Sequence, residues 1–189
     1  MDRNRQVLIV LGSPRERGNS ASLADRVAEG VQSAGGVWER VFLHGLRISP
    51  CNACDRCQAD LRRFCVIEDD MQDLYPRILR AHALLIAGPV YWFTMSAQTK
   101  LFMDRCYALL GPGGSLLEGK RIGLALAYGD TDPFTSGAVN ALRAFQDAFR
   151  YTGSILAGSV YGSASEPGEI ERDQQLMELA RRLGRDLVE

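Results

Sequence analysis

Gln6-Val7-Leu8-Ile9-Val10-Leu11 runs directly into Gly12-Ser13-Pro14-Arg15-Glu16-Arg17-Gly18-Asn19-Ser20. A short apolar run that ends at a glycine reads as a strand buried on both faces. Beyond the polar turn, Leu23, Val27 and Val31 recur four apart and share one helical face. Asn19 or Ser20 is the expected cap of that helix, and Gly35-Gly36 its stop. The unit is therefore strand, short polar loop, amphipathic helix, the first half of a βαβ crossover.

The same alternation continues along the chain. Strands are expected at Val37 to Leu43, His82 to Ala87, Lys120 to Tyr128 and Ser154 to Tyr161. Helices are expected after the acidic cluster Glu68-Asp69-Asp70 as far as about Arg80, from Ser96 to about Leu110, from Thr135 or Ser136 to about Tyr151, and from Glu169 to about Val188. Pro76 should disturb the first of these or mark a late start, and Gly111-Pro112-Gly113-Gly114 should be a loop. Five strands, each followed by a helix, specify a doubly wound α/β sheet with helices on both faces. No repeat or linker divides the chain, so residues 1–189 read as one domain, with a cysteine-rich insertion loop at about 44–68.

The turn from Gly12 to Ser20 has the chemistry of a phosphate site. It joins the carboxyl end of a strand to the amino end of a helix, where free N–H groups and the positive end of the dipole meet. Ser13, Asn19 and Ser20 are short donors, Arg15 brings charge, and Gly18 permits close approach of the backbone. Neither G-x-x-x-x-G-K-[ST] nor G-x-G-x-x-G is present, which disfavours an ATP P-loop and a dinucleotide fingerprint. The plain alternative is an ordinary polar turn. A second loop, Gly88-Pro89-Val90-Tyr91-Trp92-Phe93-Thr94-Met95-Ser96, puts three consecutive aromatics at a strand's carboxyl end, the edge where open α/β sheets bind ligands. A third, Tyr128-Gly129-Asp130-Thr131-Asp132, ends the fourth strand on that edge. Together the three loops would hold a phosphorylated planar cofactor, although Tyr91, Trp92 and Phe93 could instead pack an interface.

Cys51, Cys54, Cys57 and Cys65 read C-x2-C-x2-C-x7-C. Four thiolates on one loop suit an iron–sulfur cluster, and three cysteines in one run favour it over the paired knuckles of zinc sites. Free thiols are the remaining reading. The fifth, Cys106, is expected to pack in the core.

Composition narrows the classes. The chain has 189 residues, 46% of them hydrophobic, enough for a sizeable core. A net charge of −1 gives no reason to expect nucleic acid or an anionic membrane surface. No apolar run is long enough to span a bilayer, and the start MDRNRQVLIV reads as a polar tag on a strand rather than a signal peptide. The expectation is a cytoplasmic protein, where disulfides are not the use of the cysteines.

GSPRERGNSASL, the I-x-P-C-x-A-C-x-x-C…C-V-I-x-D-D-M block and GPVYWFTMSAQTKLFMDR together resemble the flavodoxin-like, NAD(P)H-dependent FMN reductases, and more narrowly their iron–sulfur flavoproteins. The resemblance covers Val7 to about Arg105. It implies a five-stranded sheet in the order 2-1-3-4-5. It implies that Ser13, Arg15, Gly18, Asn19 and Ser20 hold the phosphate of FMN, and that Pro89, Val90, Tyr91, Trp92 and Phe93 line its ring, with Tyr128 and Gly129 at the other edge. It further implies a [4Fe–4S] cluster on the four cysteines, NAD(P)H as co-substrate, flavin-centred chemistry with no separate catalytic residue, and a homo-oligomer, dimer or tetramer, working with a small-molecule or protein electron donor and acceptor. Three functions fit: an iron–sulfur flavoprotein moving electrons between FMN and cluster, an FMN-only flavin or quinone reductase, and a flavin dehydrogenase or carrier.

Overall fold

The computed structural model describes residues 5–60 and 64–189. The polar start at residues 1–4 and residues 61–63 of the expected insertion loop lie outside the described residues. The chain forms β1 (Gln6–Leu11), α1 (Asn19–Ser33), β2 (Val37–Phe42), α2 (Arg56–Ala59), α3 (Met71–Arg80), β3 (Ala83–Tyr91), β4 (Thr94–Met95), α4 (Ala97–Arg105), β5 (Leu110–Gly111), β6 (Gly114–Ser115), β7 (Arg121–Tyr128), α5 (Ala138–Tyr151), β8 (Ile155–Ser163) and α6 (Gln174–Asp186). The parallel strands run in the order β2-β1-β3-β7-β8, with β4 paired antiparallel to β3. Counting only the parallel strands, this is 2-1-3-4-5, as expected.

Alternation along each strand sends side chains to two cores. Leu8 and Val10 face the layer of α3, α4 and α5, against Leu74, Tyr75, Ile78, Phe102 and Phe145. Val7, Ile9 and Leu11 face α1 and α6, against Leu23, Val27, Ala180 and Leu183. Because both faces are covered, the strands read as continuous apolar runs. The order reverses between β1 and β3, which opens a crevice at their carboxyl ends.

Several boundaries differ from expectation. Gly18, not Asn19 or Ser20, is the N-cap of α1, with no side-chain cap; Asn19 is already helical. Pro76 lies inside α3 without ending it, because Met71, Leu74, Tyr75 and Ile78 anchor the helix in the core. Helix α4 stops at Arg105 and gives way to a 3-10 turn, Cys106–Leu109, where Tyr75 OH donates to the Arg105 carbonyl at 3.0 Å. The Gly-Pro-Gly-Gly stretch closes a small hairpin between β5 and β6 rather than a plain loop. α5 starts after Gly137, since the Thr135 hydroxyl bonds Asp132 instead. Glu169 opens a separate 3-10 turn, and Asp173 caps α6 by accepting from Leu176 N at 2.9 Å.

Candidate cofactor site and cysteine segment

The crevice forms around the turn after β1. Gly12 N donates to Ala87 O at 2.7 Å, locking the turn to β3. Ser96 Oγ donates to Gly12 O at 2.5 Å and accepts from Thr99 N at 3.2 Å, so the cap of α4 also holds the turn. A side chain at Gly12 has no room, because its Cβ would stand 1.8 Å from Thr99 Oγ1. Arg15 N donates to Ser13 Oγ at 3.0 Å. The N–H groups of Asn19 and Ser20 at the start of α1 have no intrahelical acceptor by helix geometry, whereas Ala21 N already donates to Gly18 O at 2.9 Å, and no side chain caps the turn. They face the crevice as an anion cradle.

Asn19 does more than supply a backbone donor. Its Nδ2 donates to Glu166 O at 2.9 Å and to Ala164 O at 3.4 Å, while its Oδ1 lies 3.5 Å from Ile170 N. Its amide therefore ties the cradle to the segment after β8. That segment is a wall the sequence reading missed: Ala164, Ser165 and Pro167 line the crevice. The rule that ligands sit outside strand carboxyl ends would have pointed to it, since it follows the fifth parallel strand. Glu169 fixes the segment by accepting from Ser165 N at 2.7 Å and Glu166 N at 2.9 Å, and these bonds hold its carboxyl below the usual range.

The aromatic stretch is a hairpin, not an open loop. β3 runs on through Pro89, Val90 and Tyr91, and Tyr91 pairs with Thr94. Trp92 and Phe93 form the turn with φ of 46° and 66°, left-handed values that aromatic residues rarely adopt. The turn is held from below. Asn140 Nδ2 donates to Phe93 O at 3.2 Å, and Gly137, at φ 78°, lies so close that a Cβ would meet Phe93 Cα at 2.4 Å. Pro89, Val90 and Tyr91 therefore line the crevice, whereas Trp92 and Phe93 point away and are 91% and 54% exposed.

The crevice has a volume of about 330 Å³, within the span of small-molecule sites, roughly 300–1,000 Å³. Ser13, Arg15, Gly18, Asn19 and Ser20 form one end, Pro89, Val90 and Tyr91 one side, and Ala127, Tyr128 and Gly129 the other. Burial pushes the Tyr128 phenol up, with Tyr161 and Asp132 adding to it, so it stays a neutral donor. Arg15 and backbone donors at a helix N-terminus, beside a strand-lined slot, fit a phosphate attached to a flat ring.

The four cysteines occupy a different part of the chain. Cys51 and Cys54 are exposed, Cys65 is half-buried, and Cys57 on α2 is buried in the core. Ala53, Asp55 and Phe64 have positive φ. Gln58 Nε2 donates to Tyr107 O at 3.2 Å and so docks the segment on the turn after α4. The donor chemistry fits a thiolate-bound cluster. Among the described residues, however, no three Cys, His, Asp or Glu side chains stand where they could share one metal ion. Cys106 is buried, and desolvation pushes its thiol up to about 12, as expected of a packing residue. Among the described residues no helix is long and apolar enough to cross a membrane.

The sequence model of the NADPH-dependent FMN reductase family matches residues 5–166. YwqN of Bacillus subtilis (strain 168), which carries the name of an NAD(P)H-dependent FMN-containing oxidoreductase, is 29% identical over 94% of this chain and 96% of its own. An iron–sulfur flavoprotein of Archaeoglobus fulgidus is 30% identical over 95% of this chain and 77% of its own. Among solved structures, an NAD(P)H:quinone oxidoreductase from Methanothermobacter marburgensis superposes with a TM-score of 0.75 over 97% of both chains, at 19% identity, which speaks for the fold. With the crevice at the expected strand ends, these matches identify the chain as an FMN-dependent oxidoreductase of the NADPH-dependent FMN reductase family, in its iron–sulfur flavoprotein subgroup.

Proposed function

We propose that the crevice binds FMN with its phosphate on the first turn of α1 and its ring between Pro89–Tyr91 and Tyr128–Gly129. We further propose that the protein takes electrons from NAD(P)H or another donor, and that Cys51, Cys54, Cys57 and Cys65 hold a [4Fe–4S] cluster. The observation that carries the FMN reading is the uncapped N-terminus of α1 opening into a slot lined by three strand ends. FMN supplies the chemistry when bound: it accepts an electron pair and can release electrons singly.

The chain's own residues bind and orient. First-turn N–H groups and Arg15 offset the phosphate charge. Pro89, Val90 and Tyr91 give one rigid side, since they belong to a core strand. Tyr128, kept protonated, offers a donor at the opposite side. Support for the cluster comes from the spacing of the cysteines and the relatives' names. Among the described residues the thiols are not gathered at one point, so its assembly would bring them together. The exposed aromatics beside the crevice support a homo-oligomer.

Anaerobic purification followed by mass spectrometry of the released flavin, with iron and acid-labile sulfide assays, tests the reading. FMN with about four irons per chain is the expected result. FAD alone would overturn the flavin assignment. FMN without iron after reconstitution would leave the FMN-only reductase.

A further inference from the structure

Arg105 ends α4 with its side chain only 1% exposed. Its Nη1 donates to Ser49 O at 2.8 Å and to Asp69 Oδ2 at 2.5 Å. Its Nη2 donates to Asp69 Oδ1 at 3.1 Å and stands 3.5 Å from Ile67 O. Ser49 lies two residues before Cys51, and Ile67 two residues after Cys65. One guanidinium thus grips both ends of the segment that carries all four cysteines. The base is laced a second time: Ser49 N and Arg47 N donate to Asp69 Oδ2 and Asp70 Oδ2 at 2.8 and 2.7 Å, and Asp70 N returns to Arg47 O at 3.1 Å. Gln72 Nε2 donates to Cys65 O and Ile67 O, both at 2.7 Å.

The tip contrasts with this base. Cys51 and Cys54 are exposed there, and the backbone at Ala53 and Asp55 is left-handed. A buried ion pair is a poor source of net stability, since apolar residues of similar shape do as well. A planar fork that reaches two chain ends is better suited to fixing geometry. The other end of the same helix is capped by Ser96, which grips the phosphate turn at Gly12. α4 is thus a rigid strut of nine residues between the flavin crevice and the cysteine base.

We infer that Arg105 is a positioning residue: it fixes the base of the cysteine segment relative to the flavin site, so that gathering the thiols needs movement of the tip alone. The inference deepens the cluster reading and rests on it for its purpose, while the alkylation part of its test does not. Arg105→Met removes the fork. Because an unpaired Asp69 can unfold the single variant, Arg105→Met with Asp69→Leu is the second variant, replacing the pair by apolar groups. The metal-free, FMN-loaded, reduced full chain is treated with iodoacetamide, and each cysteine is followed by mass spectrometry; iron uptake is measured after anaerobic reconstitution.

Loss of the clamp should speed alkylation of buried Cys57 by at least about tenfold through local opening. Cys106 protection and bound FMN should stay unchanged, and iron per chain should fall. Unchanged Cys57 protection in the double variant overturns the inference. A parallel rise at Cys57 and Cys106 also overturns it, because that reports general loosening. If the wild-type chain takes up no iron while Cys57 alone responds, the clamp stands and the cluster reading falls.

Discussion

Asp69 accepts four hydrogen bonds at once: two from the Arg105 fork, one from Ser49 N, and one from Met71 N at 3.1 Å. Burial alone would raise its pKa, but the bonds from Arg105, Ser49 and Met71 outweigh it and hold the carboxyl below its ordinary 3.8. A group that titrates lower when folded contributes fully at pH values above its unfolded pKa and loses that contribution as pH falls through the folded one. Asp69→Asn should therefore be less stable at neutral pH by about 3–5 kcal/mol, the usual effect of breaking a buried pair. The difference from wild type should shrink as pH drops below about 4. Urea unfolding at several pH values measures it, and a constant difference down to strong acid would contradict the assignment. In the sequence, Asp69 shows only as part of a helix-starting acidic cluster. Its partner is 36 positions away, and no local pattern announces a pairing at that distance. Asn19 teaches the same lesson: a short polar residue in a phosphate-type turn is legible, but its bonds to Glu166 and Ala164 are not.

Among the elements, α4 has the most consequential ends. Ser96 was legible as its cap, because a serine before a helical pattern offers its oxygen to the first turn, as it does to Thr99 N. What the pattern could not show is that the same hydroxyl also holds the Gly12 carbonyl. Ser96→Ala should destabilise the protein by about 1–2 kcal/mol through the lost cap and buried hydrogen bond. It should also weaken FMN binding several-fold, because the cradle loses a support. Thermal unfolding and flavin titration measure the two effects; a stability loss with unchanged FMN affinity would separate α4 from the site. At α5 the cap reading failed for a tertiary reason. Gly137 is needed against Phe93, so the helix begins where backbone contact with the hairpin allows, not at Thr135 or Ser136.

At the scale of the whole molecule, some of the apolar side chains that follow β3 are internal. Met95 and Phe102 are buried in the chain's own core. Among the exposed aromatics, Tyr91, Trp92 and Phe93 stand together on the hairpin, with Phe134 in the loop just before Gly137, while Tyr107 and Tyr151 are exposed elsewhere. A strained turn that displays a tryptophan 91% exposed suits burial against a second copy, the commonest partner of a soluble chain. Sedimentation velocity at micromolar concentration should show a dimer or larger assembly. Trp92→Ser should raise its dissociation constant about thirtyfold, the weight of an interface hot spot of ~2 kcal/mol. A wild-type monomer would refute the interface.

The sequence by itself determined the doubly wound sheet, its strand order through the family resemblance, and the three loops at its ligand edge. These rest on local patterns: apolar runs, helical spacing, and glycine and serine at turns, each read within about twenty residues. The tertiary structure alone decided that Pro89, Val90 and Tyr91 line the crevice while Trp92 and Phe93 leave it, because β3 runs on into a hairpin. It also added the wall of Ala164, Ser165 and Pro167, and it joined Arg105 to both ends of the cysteine segment. These depend on which distant backbone groups meet. Hydrogen bonds between residues far apart in the chain have no periodicity to betray them, and they exist only once the sheet has brought its strand ends and flanking helices together.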